Sequence, residues 1–422
     1  MEHLRSLLGI FFLLGIAWLL SNNRRRLPIR VIIWGLVLQF VFAFIILKTG
    51  LGKTFFFFLQ GAFLKLLEFS NAGAGFLFGK LLLGLPASPS VQVIDAGSGE
   101  LRDLAQIMNQ VGPVFAFRVL PAIIFFASLM SILYYLRIMQ FVVKVMAWVM
   151  SRTMGTSGAE TISAAANIFL GMVEAPLMVR PYISRMTGSE LNSLMVGGFA
   201  TIAGGVMAAY VSFGLDAGHL MSASVMSAPA ALLMAKIIFP ETGTPETGGS
   251  VKIELERSGV NLIDAAASGA VSGLKLALNV GAMLIAFIAL IALLNYFLSL
   301  IGTSLEKVLG IIFYPVAFFL GIPLGEIFEV SGLLGTKIAV NEFVAYIDLS
   351  ALKGTLSPRS VALATYALCG FANFGSIAMM IGGLGGIAPE RKSELAKLGL
   401  KAMLGGALAS WLTAAIAGIF LG

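Results

Sequence analysis

Long apolar stretches divided by short polar ones dominate the chain. Segments 5–21, 31–48, 114–136, 190–214, 219–238, 270–300, 359–386 and 396–421 each come near the ~20 apolar residues that carry a helix across hydrocarbon. Two further stretches are apolar but interrupted, 155–186 by Gly171 and Pro176 and 306–348 by Pro315 and Pro323. Each reads as a re-entrant hairpin, whose non-helical tip is tolerable only where protein or water surrounds it. Residues 51–86, with Phe55 to Phe58, Lys65, Glu68 and Lys80, have an aromatic amphipathic pattern that suits an interfacial helix, as do 138–153 with Lys144 and Arg152. The stretch 87–112 reads as a polar outer loop. The pattern predicts an all-α polytopic membrane protein with eight transmembrane helices, two re-entrant hairpins and interfacial helices.

One arrangement occurs twice. Hairpin 155–186 is followed by 190–214, broken at Thr201-Ile-Ala-Gly-Gly205; hairpin 306–348 is followed by 359–386, broken at Cys369-Gly-Phe-Ala-Asn-Phe-Gly-Ser376. The polar linker 239–259, with Pro240-Glu-Thr-Gly-Thr-Pro, is the best boundary between the two halves. The expected organisation is a scaffold over 1–137, a first repeat over 138–238, the linker, and 260–422 with a scaffold helix, the second repeat and the last helix. Basic residues concentrate in short loops (Arg24 to Arg26 with Arg30, Arg137 to Arg152, Arg180 with Arg185, Arg391-Lys392). The positive-inside tendency puts these loops in the cytoplasm and both termini outside. The hairpins then enter from opposite faces, the sequence sign of an inverted repeat. The first segment lacks a strong basic start and a small-residue cleavage site, so it is expected to be a retained helix rather than a signal peptide.

Composition supports the membrane reading: 58% of residues are hydrophobic and 12% charged. The net charge of +7 is accounted for by the loops and does not call for nucleic acid. One cysteine, Cys369, excludes an internal disulfide, and the two histidines, His3 and His219, give no metal cluster. No phosphate-binding GxxxxGK[ST] loop, HExxH or nucleophile–base pair is present, so neither ATP hydrolysis nor other catalysis is expected.

Against this background two glutamates stand out. Glu174 lies in Asn167-Ile-Phe-Leu-Gly-Met-Val-Glu174, and Glu342 follows Asn341 in Ile338-Ala-Val-Asn-Glu342. A carboxylate in hydrocarbon costs several kcal/mol unless it faces a cavity or a partner, so each marks a functional site by default. Asn167 alternatively satisfies loop backbone. Thr201 precedes a Gly-rich break whose freed carbonyls, with the hydroxyl and an Asn oxygen, make a hard-oxygen set for a small cation such as Na⁺; it alternatively bonds back to its own helix. Asn373 and Ser376 share a helical face near Phe371, and with Glu342 they suit the vicinal hydroxyls of a sugar, although Ser376 is equally a small packing residue. Arg118 reads as a partner for backbone carbonyls rather than a ligand residue.

These blocks resemble the concentrative nucleoside transporters, a family of cation-coupled importers. The resemblance runs from about residue 30 to the end and rests on Gly155-Thr-Ser, Ala166-Asn-Ile-Phe-Leu-Gly-Met-Val-Glu-Ala-Pro-Leu177 with Val179-Arg-Pro-Tyr182, Gly197-Gly-Phe-Ala-Thr-Ile-Ala-Gly-Gly205, Gly335-Thr-Lys with Asn341-Glu-Phe-Val-Ala-Tyr346, and Gly370-Phe-Ala-Asn-Phe-Gly-Ser376. It implies a homotrimer in the cell's inner (plasma) membrane. It also implies a Na⁺ site formed by Asn167, the Leu170 carbonyl, Thr201 and the Ile202 carbonyl. Glu342, Asn373 and Ser376 would take the ribose hydroxyls beside Phe371, Glu174 would reach the base side, and Val206 would line the pocket. Where the family often has Gln and Thr or Ser at the first tip, this chain has Met172 and Val173. Neither can hydrogen-bond a base edge, which implies shifted or relaxed base selectivity.

The expected activity is Na⁺-driven nucleoside symport by alternating access. Proton coupling through Glu174 or Glu342, a facilitative pore, and a membrane enzyme acting on a lipid-linked sugar are the alternatives.

Overall fold

The computed structural model describes residues 1–79, 92–94, 101–103, 115–248 and 260–421. Among these, helices α1 (Glu2–Leu19) and α2 (Ile29–Lys48) are followed after Thr49 by α3 (Gly50–Phe78). A two-stranded antiparallel pair, β1 (Gln92–Ile94) and β2 (Leu101–Asp103), comes next, within the stretch expected as a polar loop. The chain resumes with α4 (Phe115–Tyr135) and α5 (Ile138–Met154), which meet at an angle of 76° across the left-handed Arg137. That bend takes α5 away from the line of α4. The side chain of Arg118 and most of the loop 87–112 lie outside the described residues, as does 249–259 of the linker.

The first hairpin comprises α6 (Gly158–Ala166), a non-helical tip, a 3₁₀ turn over Ala175–Val179, and α7 (Arg180–Ile183). The following span is broken, as expected, into α8 (Gly188–Ala200) and α9 (Gly204–Ser212), and α10 (Ala217–Ile238) closes this half. After the linker come α11 (Leu262–Ser299) and α12 (Leu305–Phe319). The stretch 306–348 contains three helices rather than two limbs, because α12 precedes a tip at Val340-Asn341 flanked by α13 (Ile327–Ala339) and α14 (Glu342–Leu352). The second broken span is α15 (Pro358–Leu368) with α16 (Phe374–Ile387), and α17 (Lys392–Phe420) ends the described chain. Six helices are long and apolar enough to cross a membrane among the described residues, or seven with the bent α4–α5 pair.

Burial sorts these helices into two environments. In α10 and α17, 89% and 83% of the apolar window is inside the protein; in α11 it is 11%. The first two are core helices, and α11 presents its Leu and Ile side chains outward. At 38 residues α11 is roughly 57 Å long, well over the ~30 Å hydrocarbon, so it must tilt or project. It holds to α4 through Gly269 and Gly273, a small-xxx-small pair. A methyl group added at either would come within 2.8 Å of α4 backbone (Ala127 and Ser128 at one, Ile124 at the other). Ser128 also donates to the Ala266 carbonyl at 2.8 Å across this contact.

Charge at the base of the first hairpin is paired. Ser157 and Thr187 cap α6 and α8, each in a reciprocal box with a glutamate three residues on, Glu160 and Glu190. The Ser157 hydroxyl also donates to Glu190 at 2.6 Å, lacing the two helix starts together. Lys236, at the end of α10, pairs with Glu160 at 2.8 Å, donates to Ser189 at 2.9 Å and reaches Glu241 at 3.4 Å. A cavity of about 300 Å³ against residues 26–31 and the linker is walled by this cluster. Burial works to raise the Glu241 carboxyl, but Lys236, the Thr187 hydroxyl and the Gly243 N–H together hold it below the usual carboxylate range. Its contribution to stability is therefore present above the ordinary carboxylate value and fades only as pH falls through that lowered one.

Breaking the buried pair from one side strands a charge. Glu160→Ala is expected to destabilise the protein by about 3 kcal/mol, the low end for a broken buried pair because Glu241 remains near Lys236. Glu160→Ala with Lys236→Met should cost less than the single change. Thermal unfolding in detergent checks this, and a double variant less stable than the single one would contradict it.

Candidate functional site

The two broken helices cross at their breaks. Gly370, in the second break, has φ +126°, and a Cβ there would lie 2.6 Å from the Phe199 carbonyl oxygen and 3.0 Å from that of Ala200 at the end of α8. Only glycine combines this backbone conformation with this approach. Gly406 of α17 allows the same closeness from behind, since a Cβ there would lie against Phe199 Cβ and 3.1 Å from the Ala200 nitrogen. Ser410, one turn further along α17, donates to the Cys369 carbonyl. One core helix thus buttresses both breaks.

At the first break, Thr201 ends α8 in extended conformation, and Gly204 starts α9 by donating to the Phe169 carbonyl in the hairpin tip at 3.0 Å. That bond joins the segment 167–170 to the segment 201–204. Asn167 is fully buried, its Nδ2 donates to the Ser163 carbonyl at 3.0 Å, and it lies against Gly197 of α8. Its Oδ1 is buried without a hydrogen-bond partner. The Thr201 hydroxyl donates back to the Gly197 carbonyl at 3.0 Å, the bond anticipated as the alternative to a ligand role. It uses the proton and leaves the oxygen's lone pairs free. Asn167, Thr201 and Ile202 are buried and Leu170 is half-buried, the Gly204–Phe169 bond holds their two segments together, and none of the four carries a charge.

At the second break, Glu342 is buried at the first position of α14, where the helix N-terminus favours an anion. Tyr210 donates to one of its oxygens at 3.1 Å and Asn373 to the other at 3.0 Å. A carboxylate offers about four lone-pair sites, so roughly two remain for a ligand's hydroxyls. Asn373 caps α16 by accepting from the Ser376 N–H at 2.8 Å, and Ser376 Oγ is buried without a partner. Phe371 is half-buried beside Gly370. Glu342, Asn373 and Ser376 thus form a connected set, and Tyr210 of α9 ties that set to the first broken helix.

The other expected residues divide. Glu174 is exposed, with its carboxylate folded over Gly171, where a Cβ would meet Oε2 at 2.2 Å. Met172 and Val173 seat the tip against glycines: Met172 on Gly198 of α8 and Val173 on Gly383 of α16. Val206 is buried in the first turn of α9. Tyr210 and Lys337 were not singled out by sequence reasoning. Tyr210 carries no signal, because its partner is 132 residues away. Lys337 did carry one, since a lysine in an apolar segment is as costly as a glutamate.

Comparisons with known proteins bear on what such an arrangement does. Family models described as the Na⁺-dependent nucleoside transporter N-terminus and C-terminus match residues 8–81 and 219–418, and one described as a nucleoside-recognition gate matches 116–216. The nucleoside permease NupC of Helicobacter pylori is 41% identical over 100% of this chain and 98% of its own. Sodium/nucleoside cotransporter 1 of Mus musculus is 39% identical over 99% of this chain and 64% of its own. The solved structure of CNTnw in an inward-facing, substrate-bound state covers 100% of this chain and 98% of its own at 40% identity, with a TM-score of 0.90.

Gly370→Ala tests the crossing. Strain in the left-handed region costs about 1–3 kcal/mol, and the approach to the Phe199 carbonyl adds to it. A fall in the melting temperature in detergent is expected, and an unchanged value would contradict the close crossing.

Proposed function

The chain belongs to the family of concentrative, Na⁺-dependent nucleoside transporters, and from that premise we propose that it imports nucleosides by Na⁺-driven symport. The observation that carries this reading is the pair of unpartnered buried oxygens, Asn167 Oδ1 at one break and Ser376 Oγ at the other. A buried polar atom without a partner costs free energy, and a ligand bound at the breaks would supply the partner that each of these two lacks.

In this reading the coupling ion binds to Asn167 Oδ1, the Thr201 hydroxyl oxygen and the carbonyls of Leu170 and Ile202. The set is neutral and all oxygen, which suits Na⁺; a proton needs a titratable group, and none is among these four. The ribose hydroxyls bind Glu342, Asn373 and Ser376, with Phe371 alongside and Val206 lining the pocket. Glu174 faces the base. Ion and nucleoside act together because the Gly204–Phe169 bond and the Tyr210–Glu342 bond tie each hairpin tip to the first broken helix. Ordering one break prepares the other, which is a positive coupling free energy between the sites. The protein works as a homotrimer in the cell membrane, with its termini outside and the hairpin units moving against a scaffold that includes α4 and α11.

Two outcomes follow. In proteoliposomes, an inward Na⁺ gradient should drive concentrative uptake of labelled nucleoside, and Asn167→Ala should abolish the Na⁺ stimulation. Uptake driven only by a pH gradient would instead favour proton coupling through Glu174, and equilibration without any gradient would favour a facilitative pore. Because Met172 and Val173 offer no hydrogen bond to a base edge, adenosine and guanosine should compete with labelled uridine within about tenfold of cytidine and uridine, less than the 1.4 kcal/mol a single good hydrogen bond discriminates. A strict pyrimidine preference would contradict this.

A further inference from the structure

Each half of the chain repeats one order of elements: a short helix, a tip, a second short limb, then a helix broken near its middle. A break frees carbonyls at the end of its first segment, and that end carries partial negative charge. The two halves meet this charge differently. At the end of α8 the adjacent hairpin contributes Asn167, a neutral side chain with an unfilled acceptor, and the limb Gly158–Ala166 contains no basic residue. At the end of α15 the corresponding limb contributes Lys337. Its side chain is fully buried, and its ammonium donates to the Ala367 carbonyl at 2.9 Å and the Cys369 carbonyl at 3.4 Å. Among the described residues no carboxylate lies within 4.0 Å of it, and Glu342 acts on it only from beyond that distance. Neighbouring groups complete the seal: Tyr346 donates to the Thr365 carbonyl at 2.8 Å, and Ser410 to that of Cys369.

An unpaired cation is costly to bury. A lysine whose partners are backbone carbonyls is doing what a coordinated metal ion does, on a leash. We propose that Lys337 is a tethered cation: its ammonium occupies, in the second half, the place that the coupling ion takes in the first, and so positions the unwound segment that presents Phe371, Asn373 and Ser376. This rests on assigning Asn167 and Thr201 to the ion. Lys337 is a positioning residue, since it holds the backbone and not the substrate. The ribose half then carries its own tethered positive charge and takes up no ion, and the mobile ion is confined to the first break.

The test uses full-length protein in proteoliposomes. Wild type should move one charge per nucleoside at the reversal potential; two would overturn the proposal, because the second half would then hold a mobile ion of its own. Lys337→Ala should raise the nucleoside KM by at least about tenfold, as expected for lost bonds to a charged group. Millimolar methylammonium, which fits the vacated space, should restore much of the loss. Lys337→Met, which refills that space, should show the same loss without rescue. An unchanged KM in the Ala variant, or a loss equal in both variants and insensitive to methylammonium, would overturn the proposal and leave Lys337 a packing residue. If neither variant folds, the charge count in wild type still decides. Should wild-type uptake ignore the Na⁺ gradient, the ion assignment fails, and methylammonium rescue, which needs no Na⁺, still judges Lys337.

Discussion

Backbone that leaves a helix inside an apolar protein must find new hydrogen-bond partners, and the rest of this structure follows from that constraint. Two helices break and cross at their breaks, with Gly370 against the carbonyls of Phe199 and Ala200. Unwinding there frees donors and acceptors in a place with no bulk water. The protein fills some of these from its own side chains, through Lys337, Tyr346, Ser410 and the capping asparagines Asn341 and Asn373. It leaves others, Asn167 Oδ1 and Ser376 Oγ, unfilled.

The same constraint accounts for the glycines around the breaks. Gly198, Gly383 and Gly406 let Met172, Val173 and Phe199 pack at backbone distance. A crossing this close leaves little room for slack, so a shift of backbone at one break is expected to be felt at the other. Tyr210 carries the most direct link, because it sits on the first broken helix and bonds the carboxylate of the second hairpin. The charged cluster of Glu160, Glu190, Lys236 and Glu241 holds the base of the first hairpin to α8 and α10. Motion of this region is therefore expected to be that of a unit rather than of a loose loop.

Much of this was legible in the sequence, for reasons that are local. The buried Glu342 announced itself by its cost in hydrocarbon, and the breaks at Thr201 and Cys369 by their glycines; Glu174, singled out on the same ground, is exposed. The nearly all-helical class followed from the apolar segments, and the family from five blocks in order. What was not legible depends on distant partners. Nothing near Tyr210 points to Glu342, and nothing near Gly370 points to Phe199. The second tip was placed in a stretch that also contains α12, because Pro315 interrupts the apolar pattern without ending the helix there. The roles of Met172 and Val173 illustrate the opposite case: their inability to bond a base edge is plain from residue type, while their seats on Gly198 and Gly383 required the fold.

Ion and nucleoside sites at the two breaks are proposed to be energetically coupled, and coupling of this kind is reciprocal. The most direct measurement is radiolabelled Na⁺ influx into proteoliposomes driven by an inward nucleoside gradient alone, with Na⁺ equal on both sides and the membrane potential clamped. The account predicts transient Na⁺ accumulation in wild type and none in Asn167→Ala. Nucleoside entry without Na⁺ accumulation in wild type would contradict it.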